Sequence, residues 1–172
     1  MRTKRVCVVP YDAAWKHEFL KIKEELVSAI GAHVLAAEHV GSTAVEGLPS
    51  KPCIDIDVVI KDASMLPEVV RGLAAIGYEH EGDLGIKGRE AFRYSDKPHL
   101  FAHHLYVCAQ DSEELYRHLT FRDFLKNHPE AAKDYGRAKE EAARLYPDDI
   151  EKYMEYKAPC IEALNRLCGL EK

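Results

Sequence analysis

Asp55 and Asp57, one residue apart in the apolar run Cys53–Ile60, are the side chains of this chain best suited to hold a metal. Alternate residues of an extended strand face the same way, so the two carboxylates share a face with backbones about 7 Å apart. Their neighbours Cys53, Ile54, Ile56, Val58, Val59 and Ile60 are apolar, so the strand reads as an interior one. Carboxylates in such a strand are costly unless something cationic meets them, and Mg²⁺ or Mn²⁺ is the simplest such partner. The competing reading, two carboxylates salt-bridged to a nearby helix, suits an edge strand better than this one. Upstream, His39-Val40-Gly41-Ser42-Thr43 places a Gly-Ser turn whose backbone N–H groups and hydroxyl suit a phosphate. A phosphate turn followed by paired carboxylates is how a sheet presents a metal-bound triphosphate to an acceptor.

Further candidates surround this pair. In Phe101–Ala109, His104 shares a strand face with Tyr106 and is expected beside Asp55 and Asp57, as a metal ligand or proton carrier. His103 faces the other way with Leu105 and Val107 and reads as a core histidine. Lys51, in the stiff loop between Pro49 and Pro52, can reach a phosphate as a point charge. Arg89 and Arg93 flank a glycine-rich stretch and are candidate triphosphate clamps. Arg122 and Lys157 belong to the carboxy-terminal helices and read as surface ion pairs, and the run Lys139 to Arg144 reads as a solvated helix face. No G-x-S-x-G elbow, Walker-type phosphate loop or G-x-G-x-x-G fingerprint is present.

The elements that must carry these residues follow from periodicity. Arg5 to Val9 is a short β-like run, and Asp12 caps a helix to about Ile30 with Trp15, Phe19, Ile22, Leu26 and Ile30 on one stripe. Val34–Val40, Cys53–Ile60 and Phe101–Ala109 read as strands, with a helix over Ala63–Ile76 between the second and third. Tyr78 to Glu81 and Arg89 to Tyr94 read as a hairpin around Gly82, Gly85 and Gly88. Everything after Ser112 reads helical, with breaks at Pro129 and Asp148-Asp149 and a kink at Pro159. The expectation is an α/β (α+β) mixed sheet with flanking helices and a helical carboxy-terminal part, in one domain of 172 residues.

Composition narrows the function classes. The formal charge of −5 comes with no dominant basic stripe, which argues against a general nucleic-acid coat but not against a small phosphorylated substrate. The basic start, Met1 to Arg5, is followed by too short an apolar run for a signal peptide, and no run approaches a membrane span. A cytoplasmic protein is expected. Five cysteines, odd in number and without C-x-x-C spacing, read as buried free thiols rather than a disulfide framework or zinc ribbon.

The motifs together resemble the GrpB family. Val9-Pro10-Tyr11-Asp12 with Trp15 and Phe19, then His39 to Val45 with Gly47-Leu48-Pro49 and Lys51-Pro52, then Ile54-Asp55-Ile56, carry the likeness. So do His103 to Val107, Phe121-Arg122-Asp123-Phe124-Leu125 and His128-Pro129, so that it covers nearly the whole chain. The resemblance implies a nucleotidyltransferase-like fold, in which Gly41 and Ser42 match the phosphate turn and Asp55 and Asp57 the metal-binding pair. It implies transfer of a nucleotidyl group from a nucleoside triphosphate to an unknown small-molecule or macromolecular acceptor, with Mg²⁺. GrpB-like modules are also found fused to dephospho-coenzyme A kinase, but this chain has no phosphate loop of its own. One departure stands out: the superfamily's third acid, from a later strand, is replaced here by His104 or Tyr106. Either His104 substitutes, or Glu90 or Asp96 supplies the acid, or the protein is a nucleotide- or metabolite-binding regulatory module on a catalytically eroded fold. A small divalent-metal protein using Asp55, Asp57 and His104 is the more distant alternative.

Overall fold

The computed structural model describes residues 5–170; Met1 to Lys4 of the basic amino-terminal stretch, with residues 171–172, lie outside them. The chain opens with helix α1 (Ala14–Ile30). Its first turn is capped from Asp12, whose carboxylate accepts from the Ala14 N–H at 2.8 Å. Strands β1 (Ala36–Val40) and β2 (Ile54–Ile60) follow, then helix α2 (Leu66–Ala75) and strands β3 (Tyr78–Gly82), β4 (Glu90–Tyr94) and β5 (His103–Ala109). Helices α3 (Glu113–Asn127), α4 (Pro129–Leu145) and α5 (Ile150–Leu167) complete the described chain. Ser112 caps α3 and Asp149 caps α5. The sheet has five strands in the order β1-β2-β5-β4-β3, with β2 and β5 parallel and the other pairs antiparallel. The expected mixed sheet with flanking helices and a helical carboxy-terminal part is what the chain forms.

One local expectation fails. Arg5–Val9 does not become a strand; only Val9 bridges, exchanging backbone hydrogen bonds of 2.9 and 3.0 Å with Ser50. That bridge ties the amino-terminal segment to the loop carrying Lys51. Helix α5 contains Pro159 in its interior, as expected, where the ring removes one backbone hydrogen bond.

Strand parity decides which residues reach the site. Ile54, Ile56, Val58 and Ile60 of β2 pack with Leu105 and Val107 of β5 against Ile22, Leu26, Val69 and Leu73 of α1 and α2. Each such side chain contributes about 1.5–3 kcal/mol on burial, so a slip of one residue is strongly disfavoured. Asp55 and Asp57 are thereby turned to the opposite face. That face is roofed by the carboxy-terminal helices through two apolar anchors. Val59 and Cys108 pack on Leu115, and Val45 and Leu48 pack on Leu125, Tyr135 and Leu164. Between the anchors the polar centre of the face stays open as cavities.

Candidate functional site

Parallel pairing of β2 and β5 puts Asp55 opposite His104 and Asp57 opposite Tyr106. The expected neighbourhood therefore forms: His104 Nδ1 lies 3.0 Å from Asp55 Oδ1. That hydrogen bond, helped by Cys53 and opposed by burial, pushes the His104 pKa up to about 10. The two carboxylates differ in access. The Asp55 side chain is 32% exposed, whereas Asp57 is 0% exposed.

Asp57 meets a residue that the strand pattern did not single out. His118 of α3 places Nδ1 2.6 Å from Asp57 Oδ2, and its Nε2 lies 3.7 Å from Glu114. Burial pushes the His118 imidazole down, but its hydrogen bond to Asp57 and the charges of Asp57 and Glu114 outweigh this and raise it. The one sequence signal for this contact is Glu114 and His118 four residues apart, one turn of α3. Asp57 Oδ1 is buried and has no hydrogen-bond partner.

The Gly-Ser turn is built around Asp55. Gly41 has φ +73°, and a Cβ there would stand 2.4 Å from Asp55 Oδ2. Only glycine satisfies both the backbone angle and the approach. Ser42 opens a short 3-10 turn, Ser42–Ala44, and lines the same cavity as Tyr135 of α4. His39 holds the turn from below, with Nε2 2.9 Å from Thr43 Oγ1 and its ring stacked on Phe19 at 4.7 Å. Burial drives its pKa to about 4, so this imidazole is neutral.

A cavity of 310 Å³ opens beside the turn, lined among others by Gly41, Ser42, Lys51, Asp55, Lys139 and Lys157. The expectation of a solvated face beginning at Lys139 fails, since Lys139 is 2% and Lys157 8% exposed. The reason is helical phase: Tyr135, Lys139 and Ala142 lie four and three residues apart and share the buried stripe of α4. Lys139 Nζ donates to Ser50 Oγ at 3.2 Å and lies 4.8 Å from the Tyr135 ring centroid. Lys157 and Lys51 lie 4.6 and 5.7 Å from the Tyr153 centroid. None of the three lysines forms an ion pair among the described residues. Burial, then repulsion from Lys157, lowers Lys139 to about 7; burial, then repulsion from Lys51, lowers Lys157 to about 8.

A second cavity, of 420 Å³, shares Gly41 and Asp55 with the first and extends past Tyr106 and His118 to Arg89. Asp55 thus stands on the wall between two chambers. Arg93 lines neither, because its Nε donates to Glu79 Oε2 at 2.9 Å on the neighbouring strand. Glu90 does not supply a third acid: it pairs with Val107 in the ladder, which turns it away from Asp55, and it bonds His80 at 2.6 Å. Asp96 is exposed beyond the end of β4. Arg122 is structural, donating to Glu38 at 2.8 Å and to the His39 carbonyl at 3.0 Å. His103 is the core histidine expected, 2.7 Å from both the Tyr78 hydroxyl and the Phe101 carbonyl. All five cysteines are free, but only Cys108 is buried; Cys53, Cys160 and Cys168 are half-buried and Cys7 is exposed.

The described residues include no group of three or more His, Cys, Asp or Glu side chains arranged to hold a metal. The pair Asp55 and Asp57 nevertheless fits Mg²⁺, which binds through one or two carboxylates while substrate phosphates and waters fill its other positions. The unpartnered Asp57 Oδ1 is the oxygen such an ion would satisfy.

The GrpB protein family profile matches residues 5–166. The chain belongs to the GrpB family. It is 31% identical over 154 residues to the UPF0157 protein YqkA of Bacillus subtilis, covering 90% of this chain and 44% of YqkA. This GrpB-family chain thus spans less than half the length of that relative. The glutamate-rich protein GrpB of Alkalihalophilus pseudofirmus is 32% identical, over 94% of this chain and 95% of its own. The crystal structure of the conserved protein GrpB from Enterococcus faecalis superposes with TM-score 0.78 at 33% identity, over 94% of this chain and 99% of the other. Among the described residues of this family member, no helix is long and apolar enough to cross a membrane.

Proposed function

We propose that this protein is a metal-dependent nucleotidyltransferase that moves a nucleotidyl group from a nucleoside triphosphate to an acceptor hydroxyl. The observation that carries the reading is the lysine chamber: three cations without carboxylate partners, next to a Gly-Ser turn, facing Asp55. Buried unpaired ammonium groups are costly in the free protein, and a polyphosphate is the ligand that relieves them. Lys51, Lys139 and Lys157 would take the β- and γ-phosphates with the Gly41-Ser42 backbone and hydroxyl. Asp55 and Asp57 would hold Mg²⁺, which neutralises charge on the reacting phosphoryl group.

The acceptor oxygen then forms a bond to the α-phosphorus, in line with the bridging oxygen to the β-phosphate. The bond to that bridging oxygen breaks, and its electron pair leaves with pyrophosphate. The hydroxyl proton passes to Asp55 Oδ2, the oxygen not engaged by His104, and from there to water. In-line positioning and charge neutralisation are the main demands of such a step, and preorganised groups supply both.

A second reading, a nucleotide-binding regulatory module, is favoured by the closure of Asp57 behind His118. One experiment separates the two. Thermal shifts are recorded with ATP, GTP, CTP and UTP, each with and without Mg²⁺, on the parent and on Asp55→Asn/Asp57→Asn, and pyrophosphate release is followed with a metabolite extract. Transfer predicts a Mg²⁺-dependent shift and pyrophosphate with a labelled adduct, both lost in the double variant. A shift with no pyrophosphate supports the module, and no shift with any triphosphate removes both readings.

A further inference from the structure

The lysine chamber accounts for the triphosphate but leaves the second cavity unused. It is larger, at 420 Å³, within the range of about 300–1,000 Å³ typical of small-molecule sites. Its charged groups divide cleanly. Glu114 is engaged by His118 at 3.7 Å and by Arg117 at 3.8 Å, and Arg117 also donates to the Leu170 carbonyl at 3.0 Å. Asp55 is engaged by His104. Arg89 alone has no carboxylate partner among the described residues, and its Nε is buried without any hydrogen-bond acceptor.

Arg89 is also held in place before any ligand arrives. Its guanidinium lies 4.2 Å from the Tyr106 ring centroid. Behind it, the Gly88 carbonyl accepts from Ser112 Oγ at 2.8 Å, and the Arg89 N–H donates to the Ile86 carbonyl at 3.2 Å. A stacked guanidinium with a spare buried donor is organised for a planar or tetrahedral oxyanion, which it grips through two donors. Charge number separates the two chambers: three lysines suit a polyanion, one guanidinium a mono- or dianion.

We infer that the Arg89 cavity is the acceptor site and that the acceptor is a small anionic alcohol, bearing a carboxylate or phosphomonoester on Arg89 and presenting its hydroxyl to Asp55. This rests on the transfer reading for the word acceptor, while the oxyanion site itself stands on the cavity and Arg89. The bonds made and broken are those of the step given above, the anionic group of the acceptor remaining unchanged.

The test is calorimetric titration of the full chain with glycerate, glycerol 3-phosphate and uncharged glycerol as probes. The parent is compared with Arg89→Met, Arg89→Gln and Lys139→Met, after ligand-free melting has established that each variant is folded. At least one anionic probe is expected to bind the parent, and its preference for carboxylate or phosphate identifies the oxyanion; glycerol at the same concentration is expected not to bind. Affinity for the anionic probe should fall at least tenfold in both Arg89 variants and stay within about twofold in Lys139→Met, whereas ATP with Mg²⁺ should show the reverse pattern. Equal probe binding by parent and Arg89 variants overturns the proposal, as does the absence of anion binding to the parent. Loss of ATP but not of inorganic tripolyphosphate in Arg89→Met also overturns it, because Arg89 would then read the nucleoside. Arg89-dependent anion binding together with no triphosphate binding would sink the transfer reading and leave the oxyanion site standing.

Discussion

Replacing Lys139 by Met should make the ligand-free protein more stable and, in the same stroke, deprive it of triphosphate binding. Lys139 is 2% exposed, and its one hydrogen bond is to the neutral Ser50 hydroxyl. The charged groups facing it are Lys51, Lys157 and Asp55, with Glu140 next in the chain. Its pKa falls from 10.5 to about 7, so the unfolded chain binds a proton there that the folded chain gives up over that range. Stability contributed at this position therefore rises with pH between those limits. At about 1.4 kcal/mol per tenfold change, the full gap corresponds to at most about 5 kcal/mol, present as a penalty at pH 7 and below and gone by about pH 10.5. The Lys139→Met chain carries no such penalty, so its advantage over the parent should be about 2–4 kcal/mol near neutral pH and shrink as pH rises.

Denaturant unfolding of both chains at pH 6.5, 8 and 9.5 measures this. Taking the difference matters, because His104 works in the opposite direction: its raised pKa stabilises the fold at low pH and that stability is lost as pH climbs toward about 10. An advantage that stays constant with pH would mean that Lys139 titrates normally, and the account of an uncompensated cation would fail.

Other outcomes follow from the same geometry. Binding of a triphosphate at pH 8 should take up roughly one to one and a half protons, read from calorimetry in two buffers of different ionisation enthalpy; zero uptake would mean that Lys139 and Lys157 do not meet the phosphates. Gly41→Ala, which sets a methyl 2.4 Å from Asp55 Oδ2 at φ +73°, should cost more stability than Gly47→Ala, where φ is +82° but nothing lies within 4 Å. The strain common to both is about 1–2 kcal/mol, and the excess measured by denaturant unfolding reports the Asp55 contact. His118→Ala should destabilise the chain by about 3–5 kcal/mol by leaving the Asp57 carboxylate buried and unpaired, and Asp57→Asn added to it should recover most of the loss. A loss under about 0.5 kcal/mol in the single variant would show that the pair does not hold α3 to the sheet.

What a linear reading could reach here was set by local periodicity. Two-residue alternation through Ile54-Asp55-Ile56-Asp57-Val58 put both carboxylates on one face and the aliphatic residues on the other, and the same parity in β5 put His104 beside Asp55 and His103 in the core. Gly41-Ser42 was legible as a turn because glycine alone adopts a left-handed backbone freely, and Gly41 has φ +73°. What closes the site comes from far along the chain. His118, Lys139 and Lys157 sit on helices whose placement over the sheet depends on the Leu115, Leu125 and Leu164 anchors, contacts that no short window of sequence contains. Lys139 lies in a run of charges that reads as solvent-facing until tertiary packing selects which stripe of α4 is buried. Arg93 and Glu90 drop out for the same reason in reverse. Their strand positions were legible, but the cross-strand partners Glu79 and His80 that occupy them are fixed only when β3 pairs with β4.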